Sequence, residues 1–213
     1  MFPVGDDDSQ RRTTPVVTFV LIGLNVLFFL VEFSGGDHFI EQWAFIPARF
    51  SQDPVGGAVT IFTAMFMHGS WFHLFGNMLF LWIFGDNVED RFGHVGFLIF
   101  YLLAGIAATF AQYAVSPESS VPNVGASGAI AGVLGAYILM FPQSRVNVLV
   151  GRQIVAMPAF VVLGLWIALQ LISGVGTIGN ADVGGVAYMA HIGGFVAGIA
   201  MTFIFRGRSA TQA

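Results

Sequence analysis

Six stretches of mainly apolar residues, each near the length that crosses a lipid bilayer, dictate what this chain can fold into. They run over about 16–33, 66–85, 95–115, 124–141, 154–173 and 186–205. A helix needs roughly 20 apolar residues to span a hydrocarbon layer of ~30 Å, because lipid offers no partner to an open backbone N–H or C=O. Composition agrees: 56% of the 213 residues are hydrophobic and 9% are charged, where ordinary globular chains carry about 25% charge. The expected fold class is all-α, a polytopic membrane protein built as a six-transmembrane-helix bundle. The first stretch is short, follows Pro15 and carries Asn25. The second is the weakest by hydropathy, since His68, His73 and Asn77 lie within it. A five-span arrangement that drops one stretch is the competing topology.

The arginines test the count. With six spans and the N-terminus inside, Arg11, Arg12, Arg91, Arg145, Arg152, Arg206 and Arg208 fall on the cytoplasmic side and Arg49 alone outside. That is the asymmetry expected of inner loops, and removing a middle span scatters it. The expected organisation is a short cytoplasmic tail over 1–14, a membrane domain over 15–205 and a short cytoplasmic tail over 206–213, in a plasma membrane of bacterial type. "MFPVGDDDSQRRTTPVV" is no clean signal peptide, because acids precede the arginines and the apolar run continues. The net charge of −4 speaks against a nucleic-acid partner. The absence of cysteine excludes disulfides, thiolate nucleophiles and Cys-based metal sites. The segment from Ser34 to Met65 is long, with Trp43, Phe45, Ile46 and Phe50 suited to the outer interface. The glycine-rich 174–185 link is expected to be the loosest connection.

Polar groups within spans are costly, so each asks for a reason. Asn25, His68, His73, Asn77, Ser127 and His191 are the candidates. Spans two, four and six all start on the outer side, and their polar residues lie close to those starts. His191 is some five residues in, about 8 Å at helical rise. Ser127, His191, His73 and Asn77 therefore reach a similar depth below the outer surface. Gly128 and Gly132 on span four, with Gly194 and Gly198 on span six, are the small residues that let two helix backbones approach. Facing one another, they would bring Ser127 within hydrogen-bond reach of His191, the arrangement of a nucleophile and its general base. The spans are expected to hold no Asp or Glu that could orient the imidazole, and Asp182, nine residues away in the link, is no triad member. A Ser–His dyad is the expected device. His73 and Asn77, one turn apart, together with the Ser127 backbone N–H near a helix start, would form an oxyanion hole. Each residue also has a plainer reading. A membrane serine commonly bonds its own helix, Asn77 could simply join helices, and Asn25 reads as structural. His68 is expected to bond the long outer loop rather than take part in chemistry. Three histidines, His68, His73 and His191, could alternatively hold zinc or line a transport path, which leaves Ser127 idle.

At these residues the chain resembles the rhomboid family of intramembrane serine proteases. The resemblance rests on "HGSWFHLFGNMLFLWIFG" (68–85), "GDNVEDRFG" (85–93), "GASGAIAG" (125–132) and "AHIGGFVAG" (190–198), in that order, and covers about 15–205. It implies the rhomboid-like six-helix bundle in its basic bacterial form, with no cofactor and no metal. It places the family's Gly-x-Ser-Gly nucleophile on Ser127, after Gly125, and its last-span Ala-His-x-x-Gly base on His191. The oxyanion pair falls on His73 and Asn77. Implied partners are single-span or other transmembrane protein substrates and the surrounding lipid, with the active site opening toward the outer face. A relative that binds membrane clients without cleaving them is the alternative, although such proteins normally lack the serine or the histidine. Two departures stand out. "GGAVTIFTAMFMHG" (56–69) has no Trp-Arg feature, so the packing of the first long loop does not carry over. Ala131 stands where some members stack a Tyr on the histidine, so Tyr188 or a phenylalanine is expected to steady the His191 ring.

Overall fold

Pro15 cannot continue a helical hydrogen-bond pattern behind it, and the first helix begins just after it. The computed structural model describes residues 2–9, 11–177 and 185–206. Along the chain come β1 (Phe2–Gly5), α1 (Val16–Trp43), α2 (Pro47–Gln52), α3 (Pro54–Gly57), α4 (Thr60–Thr63), a 3-10 turn (Ala64–Phe66) and α5 (Trp71–Phe92). Then follow α6 (His94–Val115), α7 (Ser127–Met140), β2 (Arg145–Val150), β3 (Gln153–Pro158), α8 (Ala159–Thr177) and α9 (Tyr188–Phe205). Helices α1, α6 and α9 are long and apolar enough to cross a membrane, and α7 and most of α8 are shorter apolar helices. The molecule is a predominantly helical, polytopic membrane-type bundle.

Helix α1 has its polar side turned inward. Thr18, Leu21, Asn25, Phe29 and Glu32, spaced three or four apart, are its buried stripe, while Val20, Leu27, Leu30 and Phe33 are exposed. In lipid that is the favourable orientation, since apolar side chains meet acyl chains and polar ones find partners inside. Asn25 donates from Nδ2 to the Leu21 carbonyl at 2.7 Å. The helix bends at Gly36, whose φ of 60° only glycine adopts cheaply.

The end of α5 holds the start of α1. Glu89, fully buried, accepts from the Val17 and Thr18 backbone N–H groups at 2.9 and 2.7 Å and from the Thr18 hydroxyl at 2.7 Å. These are donors that no helical carbonyl reaches, and α1 has no cap of its own at Pro15. His94 Nδ1 lies 2.6 Å from the same carboxyl. Asp90 accepts from the Arg12 and Thr13 backbones at 3.0 and 2.8 Å, and Arg11 pairs with Asp86 at 2.6 Å.

The all-α expectation needs one correction. A three-stranded antiparallel sheet, in the order β1-β2-β3, sits at this same end. β2 and β3 form a hairpin about Gly151 and Arg152, with Val150 opposite Gln153 and Arg145 opposite Pro158. Gly151 has a φ of 60°, as a tight hairpin turn requires. Val146 and Val148 are buried between exposed or half-buried neighbours, the period-two pattern of a strand. The fifth apolar stretch therefore begins as strand, and its helix starts at Ala159 rather than 154. The second stretch likewise runs later than expected, over Trp71–Phe92. Within the segment expected as a tail, Phe2 pairs with Leu149 and Gly5 with Asn147.

Two expected outcomes follow from this end of the bundle. Glu89→Ala leaves three donors unsatisfied and should lower unfolding stability by about 3 kcal/mol, read by thermal unfolding in detergent. Asp6 is a second handle. Burial pushes its carboxyl from 3.8 to about 7, against the hydrogen bond from Tyr137 and aided by Asp86 and Asp8. A carboxyl so raised holds its proton more tightly folded than unfolded, so its stabilisation is complete below its ordinary value and lost as pH rises through about 7. The melting temperature between about pH 4 and about pH 7 should fall more steeply for the wild type than for Asp6→Asn.

Candidate active site

Helices α7 and α9 run side by side with almost nothing between their backbones. A Cβ placed on Gly194 or Gly198 would strike the carbonyl oxygens of Gly128 and Gly132, and one on Gly135 that of Phe195. From the other side, Ala108 and Ala104 of α6 press on Gly128 and Gly132 so closely that a Cβ at either would lie 2.5 Å from theirs. Glycine and alanine at these positions are what bring three helices to one line of contact.

At the upper end of that line, Ser127 opens α7 and His191 lies in the first turn of α9. Ser127 Oγ and His191 Nε2 are 2.8 Å apart, a hydrogen bond of normal length. The other imidazole nitrogen, Nδ1, is 2.7 Å from Gln170 Oε1 on α8. Trp166, one turn before Gln170, lies against the His191 ring with centroids 5.8 Å apart and planes tilted by 34°. Tyr188 and the phenylalanines, expected to steady this ring, have no ring contact with it among the described residues; a tryptophan and an amide from α8 fill that place. Gln112 of α6 accepts from the Ala190 N–H at 3.3 Å and so serves an open donor at the start of α9.

The long loop after α1 fixes the approach to Ser127. Phe45 and Asn123 exchange backbone hydrogen bonds at 3.2 and 2.8 Å, and Gly125 N–H donates to Ala64 at 2.9 Å. Gly125 has a φ of 131°, and a Cβ there would meet His73 Cε1 at 2.8 Å and Nε2 at 2.9 Å. Only glycine lets the imidazole of His73 lie over the backbone just before the serine. His73 is held in turn by the start of α5, where the Ser70 hydroxyl accepts from its backbone N–H at 3.1 Å. Asn77, a turn further on, is buried, with Nδ2 lacking a hydrogen-bond partner among the described residues. The Ser127 N–H is the first of α7 and has no acceptor within its own helix. Ser127, His191, His73 and Asn77 all line one cavity of about 480 Å³, together with Phe80 of α5 and Trp166 of α8.

His68 stands apart from this cavity. It is buried, its backbone N–H donates to Glu32 at 2.8 Å, and its ring meets that of His73 edge-on at 5.0 Å. Glu32 is a correction to the expectation of acid-free spans. It lies one residue from the end of the first apolar stretch, buried, and it anchors the segment before α5 rather than orienting His191. Asp182 and the middle of the 174–185 link lie outside the described residues. Gln170 escaped the sequence reading altogether. The signal for it was present, since a glutamine inside "IALQLIS" is as costly in lipid as Asn25.

Fold and site together define a helical membrane protein that carries a serine–imidazole pair within its bundle, facing a cavity. The chain belongs to the rhomboid family: the model of the Rhomboid domain matches residues 56–208. It is similar to rhomboid protease GluP of Bacillus subtilis (strain 168), 35% identical over 198 residues, which are 87% of this chain and 38% of that protein. It is also similar to rhomboid-like protein 11, chloroplastic, of Arabidopsis thaliana, 28% identical over 92% of this chain and 66% of that protein. Putative rhomboid protease YdcA of Bacillus subtilis (strain 168) is 28% identical over 91% of this chain and 89% of its own length. The chain thus spans well under half of GluP and about two thirds of the Arabidopsis protein.

Because the Gly198 contact is with backbone, no side chain can yield to a substitution there. Gly198→Ala should separate α7 from α9 and lower stability by about 2–3 kcal/mol, with a matching drop in melting temperature.

Proposed function

We propose that the protein is an intramembrane serine endopeptidase that cleaves transmembrane proteins at or near the outer end of their span. The reading rests above all on one observation, the 2.8 Å approach of Ser127 Oγ to His191 Nε2 beside a cavity. His191 takes the hydroxyl proton as Oγ attacks the scissile carbonyl. The tetrahedral oxygen forms near His73, the unpaired Nδ2 of Asn77 and the Ser127 N–H, each such donor being worth about 10²–10³ in rate. His191 then protonates the leaving amine, and water resolves the acyl-enzyme by the reverse route. The scheme calls for neither metal nor cofactor. His68 and the glycines Gly125, Gly128, Gly132, Gly194 and Gly198 support the geometry without reacting.

The topology assigned to this enzyme is six spans within 15–205, with the flanking segments 1–14 and 206–213 in the cytoplasm of a cell whose plasma membrane holds it. Seven arginines on one side support that orientation. Helix α7, at 14 residues, rises only ~21 Å, short of the ~30 Å hydrocarbon layer. Its first residue therefore lies below the outer surface, and the cavity above it admits water. A substrate helix has its carbonyls bonded and shielded, so the cut falls where small or helix-weakening residues let it unwind. It enters beside α8, where Leu169 and Ile172 are exposed and Trp166 lines the cavity.

The zinc or transport alternative has a geometric weakness. Both nitrogens of His191 are engaged, by Ser127 and Gln170, so neither is free to join His68 and His73 around a metal ion. A client-binding relative without activity would leave the serine–imidazole pair without purpose. Ser127→Ala decides between these readings. In liposomes carrying single-span proteins, it should abolish both cleavage and labelling by a fluorophosphonate, while retained cleavage would sink the proposal.

A further inference from the structure

A neutral imidazole has two tautomers, and only the one with its proton on Nδ1 leaves Nε2 free to accept from a serine hydroxyl. Something must favour that form. In this chain Nδ1 faces the amide oxygen of Gln170 at 2.7 Å, an acceptor that requires the proton to sit on Nδ1. A second group on the same helix addresses the same ring. Trp166 and Gln170 are four residues apart on one face of α8, and Trp166 lies against the imidazole at 5.8 Å. The opposite face of α8 is exposed at Leu165, Leu169 and Ile172, as suits lipid. The inward face thus presents an acceptor to the edge of His191 and an indole to its side.

We infer that Gln170 is a positioning residue of this protease, one that sets the tautomer and angle of His191 from a neighbouring helix. The inference rests on the proposed peptidase reading and deepens it. An amide does this work without the cost of an unpaired charge in the membrane. It orients the base but adds little to its basicity, unlike a carboxylate in the same place. Because the partner stands on α8, the dyad is competent only while that helix is seated against α9. Substrate entry beside α8 and readiness of the base are then one event.

The test uses the full chain in liposomes, with kcat and KM for a single-span substrate and the rate of fluorophosphonate labelling followed against pH. Gln170→Leu keeps the bulk and removes the acceptor. It should lower kcat and the labelling rate about 10- to 100-fold and leave KM within about twofold. Gln170→Glu restores an acceptor oxygen at the same reach but adds a negative charge. Activity should return at alkaline pH, with the acid limb of its profile displaced upward by about one unit, since a carboxylate favours the protonated imidazole. A merely structural role would depress both variants without moving that limb, and this result would overturn the inference. Wild-type rates and profile in Gln170→Leu would overturn it too. If Gln170→Leu fails to fold, the profile of Gln170→Glu decides alone. An inert Ser127→Ala beside indifferent Gln170 variants would leave the peptidase standing and remove Gln170 from it. A wild type that neither cleaves nor labels would remove both.

Discussion

Backbone touches backbone where α7 meets α9, and the geometry of the site descends from that contact. Lipid tails are as apolar as the side chains they surround, so burial alone does not drive these helices together. What remains is dispersion, which falls off within a fraction of an ångström. Glycine at 128, 132, 194 and 198 removes the side chains that would stand between the two axes, and alanines of α6 fill the third side. The hydroxyl and the imidazole then meet because their helices have no room to drift. Neither residue could be brought into reach by loop flexibility, since both belong to the first turns of rigid elements.

The two ends of the bundle are built for opposite purposes. At one end, Glu89, Asp90 and Asp86 take up the donors of α1 and of the segment before it, and a small sheet closes over them. Polar groups there are matched nearly one to one. At the other end, Nδ2 of Asn77 is left without a partner among the described residues, the cavity lies open, and α8 contributes only a few side chains to the site. Fixed pairing below gives the upper end a frame, so that vacancy above does not become disorder.

Much of this was legible in the chain, because helical rise converts spacing into depth. The long apolar helices, the gathering of Ser127, His191, His73 and Asn77 at one cavity, and the glycines four apart could be read from residue positions alone. The hairpin at Arg145–Pro158 was harder. The valines of β2 alternate with period two, but β3, from Ile154 on, runs into α8 without a polar break, and a hydropathy window merges the two. Glu32 was hidden by its position near the end of a greasy run, although one acid there is costly enough to demand a partner. Gln170 was hidden differently. Nothing in sequence joins position 170 to position 191 across the glycine-rich link, and pairing them requires knowing which face of α8 turns inward. The acidic cluster at 86–90 was visible as a motif, but its bonds to residues some 70 positions earlier are a matter of tertiary structure.

That last separation bears on how the protein is made. The first helix leaves the ribosome long before residue 89 exists, so its leading N–H groups have no carboxylate to receive them during synthesis. Water or lipid headgroups must serve in the interim, which keeps the start of α1 at the membrane surface until α5 arrives. Folding therefore requires a handover, in which solvent yields its hydrogen bonds to an acid carried in by α5.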